Sequence, residues 1–389
     1  MPAASILIKP ASANCNMDCK YCFYKCLSSH REEYSKGFMK EETLETLVRE
    51  AIAYADGSLT FAFQGGEPTL AGLDFFQKAV ELQQKYNNKK LQQKYNNKKL
   101  QIENTIQTNG LLIDEKWARF LGEHRFLVGL SLDGPKKMHD RYRKDAGGQD
   151  TFARIMHSVQ LLEQYQVDYN VVTVVTNDTA KQASFLYKFW KRNHYPFVQF
   201  IPCMDEIKRQ DGTQERSIYA VESEQYGKFL CELFDLWYAD FAAGEAMDIR
   251  MFSNLAQMAA GYPAEECGMN GCCNCYFVVE GDGSVYPCDF YCMDEWKLGT
   301  VNDGFVQMKT SEKAKAFVEA SRPVCAACQE CLHFSLCRGG CRRWREPFVD
   351  GKPGLNQLCS AYRMFFAHAA ERMERLGAYI RQKYAGSGK

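Results

Sequence analysis

The sequence predicts an α/β fold, a partial (β/α)6 barrel followed by a smaller cysteine-rich domain, and three observations carry that expectation. Short β-rich runs alternate with longer helical stretches through the first ~200 residues, as a parallel sheet with crossover helices requires. Motifs that could carry chemistry stand immediately after these runs, where barrels gather their functional groups. The 18 cysteines are also segregated: four lie in residues 15–26 and twelve between Cys267 and Cys359, with none between Cys26 and Cys203.

Candidate strands fall at 5–9, 59–64, 102–107, 126–132, 169–175 and 197–201, with helix candidates at 41–55, 73–90, 114–121 and 151–164. Cys15 follows the first strand and Gly65-Gly66-Glu67-Pro68 the second. Thr108-Asn109-Gly110 follows the third and Asp133-Gly134-Pro135 the fourth. After Met204 the chain turns polar over 205–215, then reads as helical over 226–243. From Cys267 it is rich in Cys and Gly and closes on a helix at 360–383. These shifts divide it into 1–240 and 241–389.

With 46% hydrophobic residues, the 389-residue chain can bury one large core and a smaller one. Lys+Arg and Asp+Glu balance at 48 each, so no basic stripe points to nucleic acid or an anionic membrane. The start, MPAASILIKPAS, lacks the apolar stretch of a signal peptide, and no run approaches the ~20 apolar residues of a spanning helix. The chain reads as a soluble, cytoplasmic monomer. In a reducing compartment its cysteines point to metal ligation or thiol chemistry rather than disulfides.

LQQKYNNKK occurs twice without a break, at 82–90 and 91–99. Two short copies do not make a solenoid. A nine-residue step turns a helix by roughly 900°, half a turn off register, so one helix cannot bury both copies alike. The duplication is expected to be an exposed extension without a catalytic role.

Cys15-x3-Cys19-x2-Cys22 places three thiolates on one tight loop, a reach that suits three corners of a cubane cluster and leaves one iron open. A zinc loop completed by Cys26, or reduced cysteines in a turn, are the alternatives. Followed by aromatic residues after a first strand, this triad resembles the radical S-adenosylmethionine (SAM) superfamily, in which SAM chelates the open iron. Gly65-Gly66-Glu67-Pro68 resembles that superfamily's GGEP motif, where glycine lets the backbone approach the SAM amino group.

The C-terminal array is Cys328-x2-Cys331-x5-Cys337-x3-Cys341-x17-Cys359, preceded by Cys267, Cys272, Cys273, Cys275, Cys288 and Cys292. Zinc is the generic reading of CxxC pairs, and spacing cannot pair these thiols uniquely. The array resembles the SPASM domain, which in its full form binds two auxiliary [4Fe–4S] clusters. Together NCNMDCKYCFY, FAFQGGEPT, QTNG, VGLSLDGP, CGMNG, GSVYPCDFY and RGGCRR resemble the anaerobic sulfatase-maturating enzymes, from Asn14 to Cys359.

That resemblance implies roles. Three [4Fe–4S] clusters would be held: one by Cys15, Cys19 and Cys22, the first auxiliary cluster by Cys267, Cys273, Cys288 and Cys341, and the second by Cys328, Cys331, Cys337 and Cys359. Cys26, Cys272, Cys275, Cys292 and Cys325 are left over; Cys272 and Cys325 stand closest to that ligand register. SAM would contact Tyr21, Gly66, Ser131, Arg143 and the backbone at Met204. Asp289 would be the base that takes the substrate proton, since a carboxylate in a water-poor cleft makes a better base. Tyr24 and Gln64 would border the substrate. His333 lies among cysteines and reads as a surface residue rather than a ligand.

The implied reaction is oxidation of a Cys or Ser in an unfolded sulfatase segment to Cα-formylglycine. SAM would supply a 5′-deoxyadenosyl radical, a flavodoxin or ferredoxin-like protein the priming electron, and an auxiliary cluster the exit for the last one. A second SPASM-type maturase, cross-linking a ribosomal peptide, is the nearest rival. A non-enzymatic Fe–S carrier or a zinc scaffold is the different class. The residues do not separate Cys-type from Ser-type substrates.

Overall fold

The computed structural model describes residues 3–88, 100–205, 217–348 and 351–385. In chain order its strands are β1 (Ala4–Ile8), β2 (Ser58–Phe63), β3 (Gln101–Thr108), β4 (Leu127–Ser131), β5 (Tyr169–Val175), β6 (Phe197–Pro202), β7 (Asp248–Ile249), β8 (Val278–Val279), β9 (Ser284–Tyr286) and β10 (Gly299–Thr300). The six strands expected from sequence are β1 to β6, each within one or two residues of its expected bounds. The four short strands were not expected, because two or three residues carry no readable period.

The chain forms two compact units that interleave in sequence. The first comprises 1–132, 139–170 and 275–316, and the second 133–138, 171–274 and 317–389. The compact units therefore cut across the division at residue 240, because segment 275–316 joins the unit that contains the first 132 residues.

In the first unit β1, β2, β3 and β4 pair in parallel, with registers Ile6↔Phe61, Phe61↔Asn104 and Ile106↔Val128. Their connecting helices include Glu41–Tyr54, Leu73–Tyr86 and Glu115–Glu123. The last begins where the Asp114 carboxylate accepts the Trp117 N–H at 2.9 Å, an N-cap that explains a helix start at this point. Phe63, Phe76, Trp117 and Phe126 form the core between sheet and helices. On the other edge, β8 pairs in parallel with β1 through Leu7↔Val278 and Ile8↔Val279, and β9 turns back on β8. This pairing sets the segment following Tyr286 against the end of β1.

The second unit holds the parallel strands β6 and β7 and most of β5, which pairs with β6 through Thr173↔Phe200. Its core is the terminal helix Cys359–Ala385 against Ser223–Ala243 and Arg250–Ala259, with Phe234, Phe252 and Phe365 in mutual contact. Among the described residues no helix is long and apolar enough to cross a membrane.

The duplication only partly behaves as expected. Leu82 and Gln83 of the first copy are buried in the helix Leu73–Tyr86, and Gln83 exchanges two hydrogen bonds with Asn104. The first copy is thus part of the core packing rather than an extension. The rest, 89–99, lies outside the described residues.

Candidate active site

The loop between β1 and the helix Phe23–Ser29 carries Cys15, Cys19 and Cys22, with Cys22 as the residue before the helix. It is strapped in place by residues 142–146: Asp18 N–H donates to Lys144 O, Lys20 N–H to Tyr142 O, and Ala146 N–H to Asn16 O. Donors point at its sulfurs. The Met17 N–H lies 3.4 Å and Asn109 Nδ2 3.8 Å from Cys15 Sγ, and Arg143 Nη1 lies 3.9 Å from Cys19 Sγ. Although Cys15 as a residue reaches solvent, desolvation of its thiol pushes the pKa up to about 11, against those two donors. Burial likewise raises Cys22.

The two motif glycines answer to the chain itself. A Cβ on Gly66 would lie 2.2 Å from Asn14 O and 2.6 Å from Ser12 O, so the cysteine loop passes directly over it. A Cβ on Gly65 would lie 2.5 Å from Lys9 Cγ. Both have positive φ, +81° and +53° for Gly65 and Gly66. Glu67, 1% exposed, accepts from Thr69 N–H, Thr69 Oγ1, Thr108 Oγ1 and the Asn109 N–H, tying the turn after β2 to the turn after β3.

Of the expected SAM contacts, Tyr21 and Arg143 meet each other, the guanidinium 5.4 Å from the ring centroid. Ser131 ends β4 and accepts from Gln107 Nε2 at 3.2 Å. Met204, in the second unit, follows β6 and is half-buried.

Asp289, Tyr24 and Gln64 are brought together. Tyr24 Oη donates to Asp289 Oδ2 at 2.6 Å, and Gln64 Nε2 donates to Tyr24 Oη at 2.6 Å. Asp289 is 6% exposed and opens a short 3-10 turn, with its N–H bonded to Tyr276 Oη. The same Tyr276 hydroxyl lies 3.5 Å from Cys288 Sγ.

Sequence reasoning missed the groups behind this cluster. Lys9 Nζ is 2.8 Å from Asp289 Oδ1 and 3.6 Å from Glu280 Oε1, and Arg31 Nη2 is 2.8 Å from Glu280 Oε1. All four are at most 8% exposed. Burial disfavours the charge on Lys9, but Asp289, then Cys292 and Glu280, outweigh it and raise its pKa. The available signal was a lysine inside an otherwise apolar strand, ILIKP, where a charge must find a buried partner.

Of the expected auxiliary ligands, Cys267, Cys273, Cys341, Cys328, Cys331, Cys337 and Cys359 lie in the second unit and Cys288 in the first. Cys341 feels Cys273 and Cys267, and burial chiefly pushes its thiol up to about 12. Cys337 and Cys359 each lie within electrostatic range of Cys328 and Cys331 and of one another, with Cys325 Sγ 3.6 Å from Cys328 Sγ. Arg342 and Arg345 brace this segment, donating to Phe317 O and to Ser321 O and Pro323 O. His333 is half-buried, its ring against Phe366. No disulfide joins any of the 18 cysteines.

Comparison with known proteins gives this geometry a family. Residues 10–188 match the Radical SAM superfamily and residues 271–332 an iron–sulfur cluster-binding domain, SPASM. A cysteine-type anaerobic sulfatase-maturating enzyme of Clostridium perfringens (strain 13 / Type A) is 45% identical, over 96% of this chain and 98% of its own. A serine-type enzyme of Bacteroides thetaiotaomicron is 33% identical over 95% and 90%. The solved structure of native anSMEcpe with bound AdoMet and Cp18Cys peptide superposes with a TM-score of 0.89 at 44% identity, covering 97% and 100%.

The chain belongs to the anaerobic sulfatase-maturating enzymes.

Membership makes the enzyme a SAM-dependent oxidoreductase of sulfatase maturation with [4Fe–4S] clusters. Its residues fit those groups. Three thiols on one loop, with N–H donors aimed at two of the sulfurs, are chemically suited to a cluster, since hydrogen bonds to sulfur stabilise and tune a bound thiolate.

Proposed function

We propose that this enzyme oxidises a cysteine side chain of a sulfatase polypeptide to Cα-formylglycine. The observation that carries the reading is the Asp289 carboxylate, buried, hydrogen-bonded by Tyr24 on Oδ2 and ion-paired with Lys9 at Oδ1. Tyr24 itself stands two residues after Cys22 of the cluster loop.

The substrate methylene thiol loses a hydrogen atom from Cβ, the thiol proton and one electron to become a thioaldehyde. Water then gives the aldehyde and releases hydrogen sulfide. When bound, the cofactors supply the one-electron chemistry: SAM at the cluster of Cys15, Cys19 and Cys22 the hydrogen abstraction, and an auxiliary cluster the electron sink. Asp289 accepts the thiol proton; each of its oxygens keeps a lone pair beyond the one facing Lys9 or Tyr24. Tyr24 and Gln64 fix the direction from which the thiol arrives. Burial excludes water, which would otherwise compete for the carboxylate.

Two auxiliary clusters, held by Cys267, Cys273, Cys288 and Cys341 and by Cys328, Cys331, Cys337 and Cys359, belong to this proposal, as do the SAM contacts. A flavodoxin or ferredoxin-like protein is the proposed electron donor. The cysteine preference is supported by 45% identity to a cysteine-type enzyme against 33% to a serine-type one. The test is the reconstituted enzyme with SAM, reductant and matched CxPxR and SxPxR peptides. Faster conversion of the cysteine peptide to the aldehyde is expected, and an unchanged peptide mass would overturn the reading.

A further inference from the structure

We propose that Lys9 is a positioning residue for Asp289, its ammonium fixing the rotation of the carboxylate so that the remaining lone pairs face the substrate thiol. The proposal rests on the reading of Asp289 as the proton acceptor.

Lysine is rarely buried, and Lys9 is 1% exposed at the end of β1. Glu280 has Arg31 at 2.8 Å as well as Lys9; Lys9 stands farther from Glu280, at 3.6 Å, than from Asp289, at 2.8 Å. Lys9 and Arg31 against Glu280 and Asp289 make a balanced set of two cations and two anions, so the arrangement can persist away from water.

The geometry is that of a clamp. The torsion that turns a carboxylate about Cβ–Cγ is soft, and one hydrogen bond does not hold it. Here Tyr24 donates to Oδ2 while the Lys9 ammonium stands 2.8 Å from Oδ1 as an ion pair, so a hydrogen bond on one oxygen and a charge beside the other restrain the plane. Lys9 also lies over the Tyr24 ring, 4.6 Å from its centroid, and so touches both partners of the hydrogen bond.

An independent observation shows that the fold reserves this path. The Lys9 stem runs across Gly65, where a Cβ would stand 2.5, 2.6 and 2.9 Å from Lys9 Cγ, Cδ and Cε. The first glycine of the motif after β2 thus makes room for the lysine that reaches Asp289.

The test compares holoenzymes of wild type, Lys9→Met and Lys9→Met/Glu280→Gln, the double variant removing one charge of each sign. Each receives SAM, reductant and a cysteine peptide deuterated at Cβ. Iron content, 5′-deoxyadenosine, deuterium in that product and oxidised peptide are measured. We expect unchanged iron and continued deuterium transfer, with oxidised peptide per 5′-deoxyadenosine lower by about 10²-fold, the scale of a misplaced catalytic group. A ratio within about twofold of wild type in the double variant overturns the proposal. So does loss of iron, 5′-deoxyadenosine and product together in both variants, which marks a purely structural lysine. A wild-type enzyme that cleaves SAM but leaves the peptide unchanged instead overturns the function on which the proposal rests.

Discussion

Tyr24 donates its phenol hydrogen to Asp289 across 265 positions of sequence, at 2.6 Å. Burial and the neighbouring carboxylate both raise the Tyr24 pKa, so the phenol stays a donor at working pH. Removing it with Tyr24→Phe takes away a hydrogen bond to a charged group, worth roughly 1.5–3 kcal/mol or 10- to 100-fold. The expected outcome is that loss in oxidised peptide per 5′-deoxyadenosine, with iron content unchanged.

Asp289→Asn keeps the shape of the side chain but removes the proton acceptor. Loss of a general base lowers turnover by roughly 10²–10⁴-fold. Deuterium should still move from Cβ to 5′-deoxyadenosine, since hydrogen abstraction does not need the carboxylate. Absence of that transfer would place Asp289 in SAM binding instead.

Glu280 links acidity to stability. Burial raises its pKa, but Lys9 and then Arg31 outweigh burial and hold it below the ordinary carboxylate range. An acid with a depressed folded-state pKa stabilises the fold above its unfolded value, about 4.3, and that contribution is lost as pH falls through the folded value. Glu280→Gln should therefore destabilise the enzyme by about 3 kcal/mol at neutral pH, the scale of a broken buried pair. The gap between wild type and variant in urea unfolding should hold from pH 7 down to about 4.3 and narrow as pH falls below that value.

Iron counts test the ligand sets. Three [4Fe–4S] clusters give about twelve irons per chain, and Cys331→Ser or Cys359→Ser should reduce this to about eight. Cys325→Ser should leave about twelve. A drop to eight there would transfer ligation from Cys328 to its neighbour 3.6 Å away.

Deletion of 91–99 tests the duplication. Asn87 bonds Leu100 through both its amide and its carbonyl group, so the chain ends on either side of the insertion already meet. Shortening the connection should leave sulfatase-peptide oxidation unchanged. Loss of activity would give the repeat a role.

The parts legible in the sequence were those whose signal is local. Tyr169–Val175 is rich in β-branched residues and is bounded by polar residues, and its expected and observed limits coincide. The Cys15 triad and Gly66 occupy consecutive loops at strand ends, so their nearness to one another could be read from order along the chain. Gly66 was readable as a required glycine but not for its structural reason, because the backbone that crowds it belongs to Ser12 and Asn14.

Sequence alone determined the inventory: three thiols within one loop, the parallel alternation of strands and helices, and a second store of cysteines, since each is written in short spacings that survive without a fold. Tertiary structure alone decided what surrounds Asp289. Two residues of β8 dock on β1, and that pairing brings the segment after Tyr286 to Lys9 and Tyr24. No local pattern records it, because a two-residue strand has no period, and the worth of a buried lysine depends entirely on which distant carboxylates come to meet it.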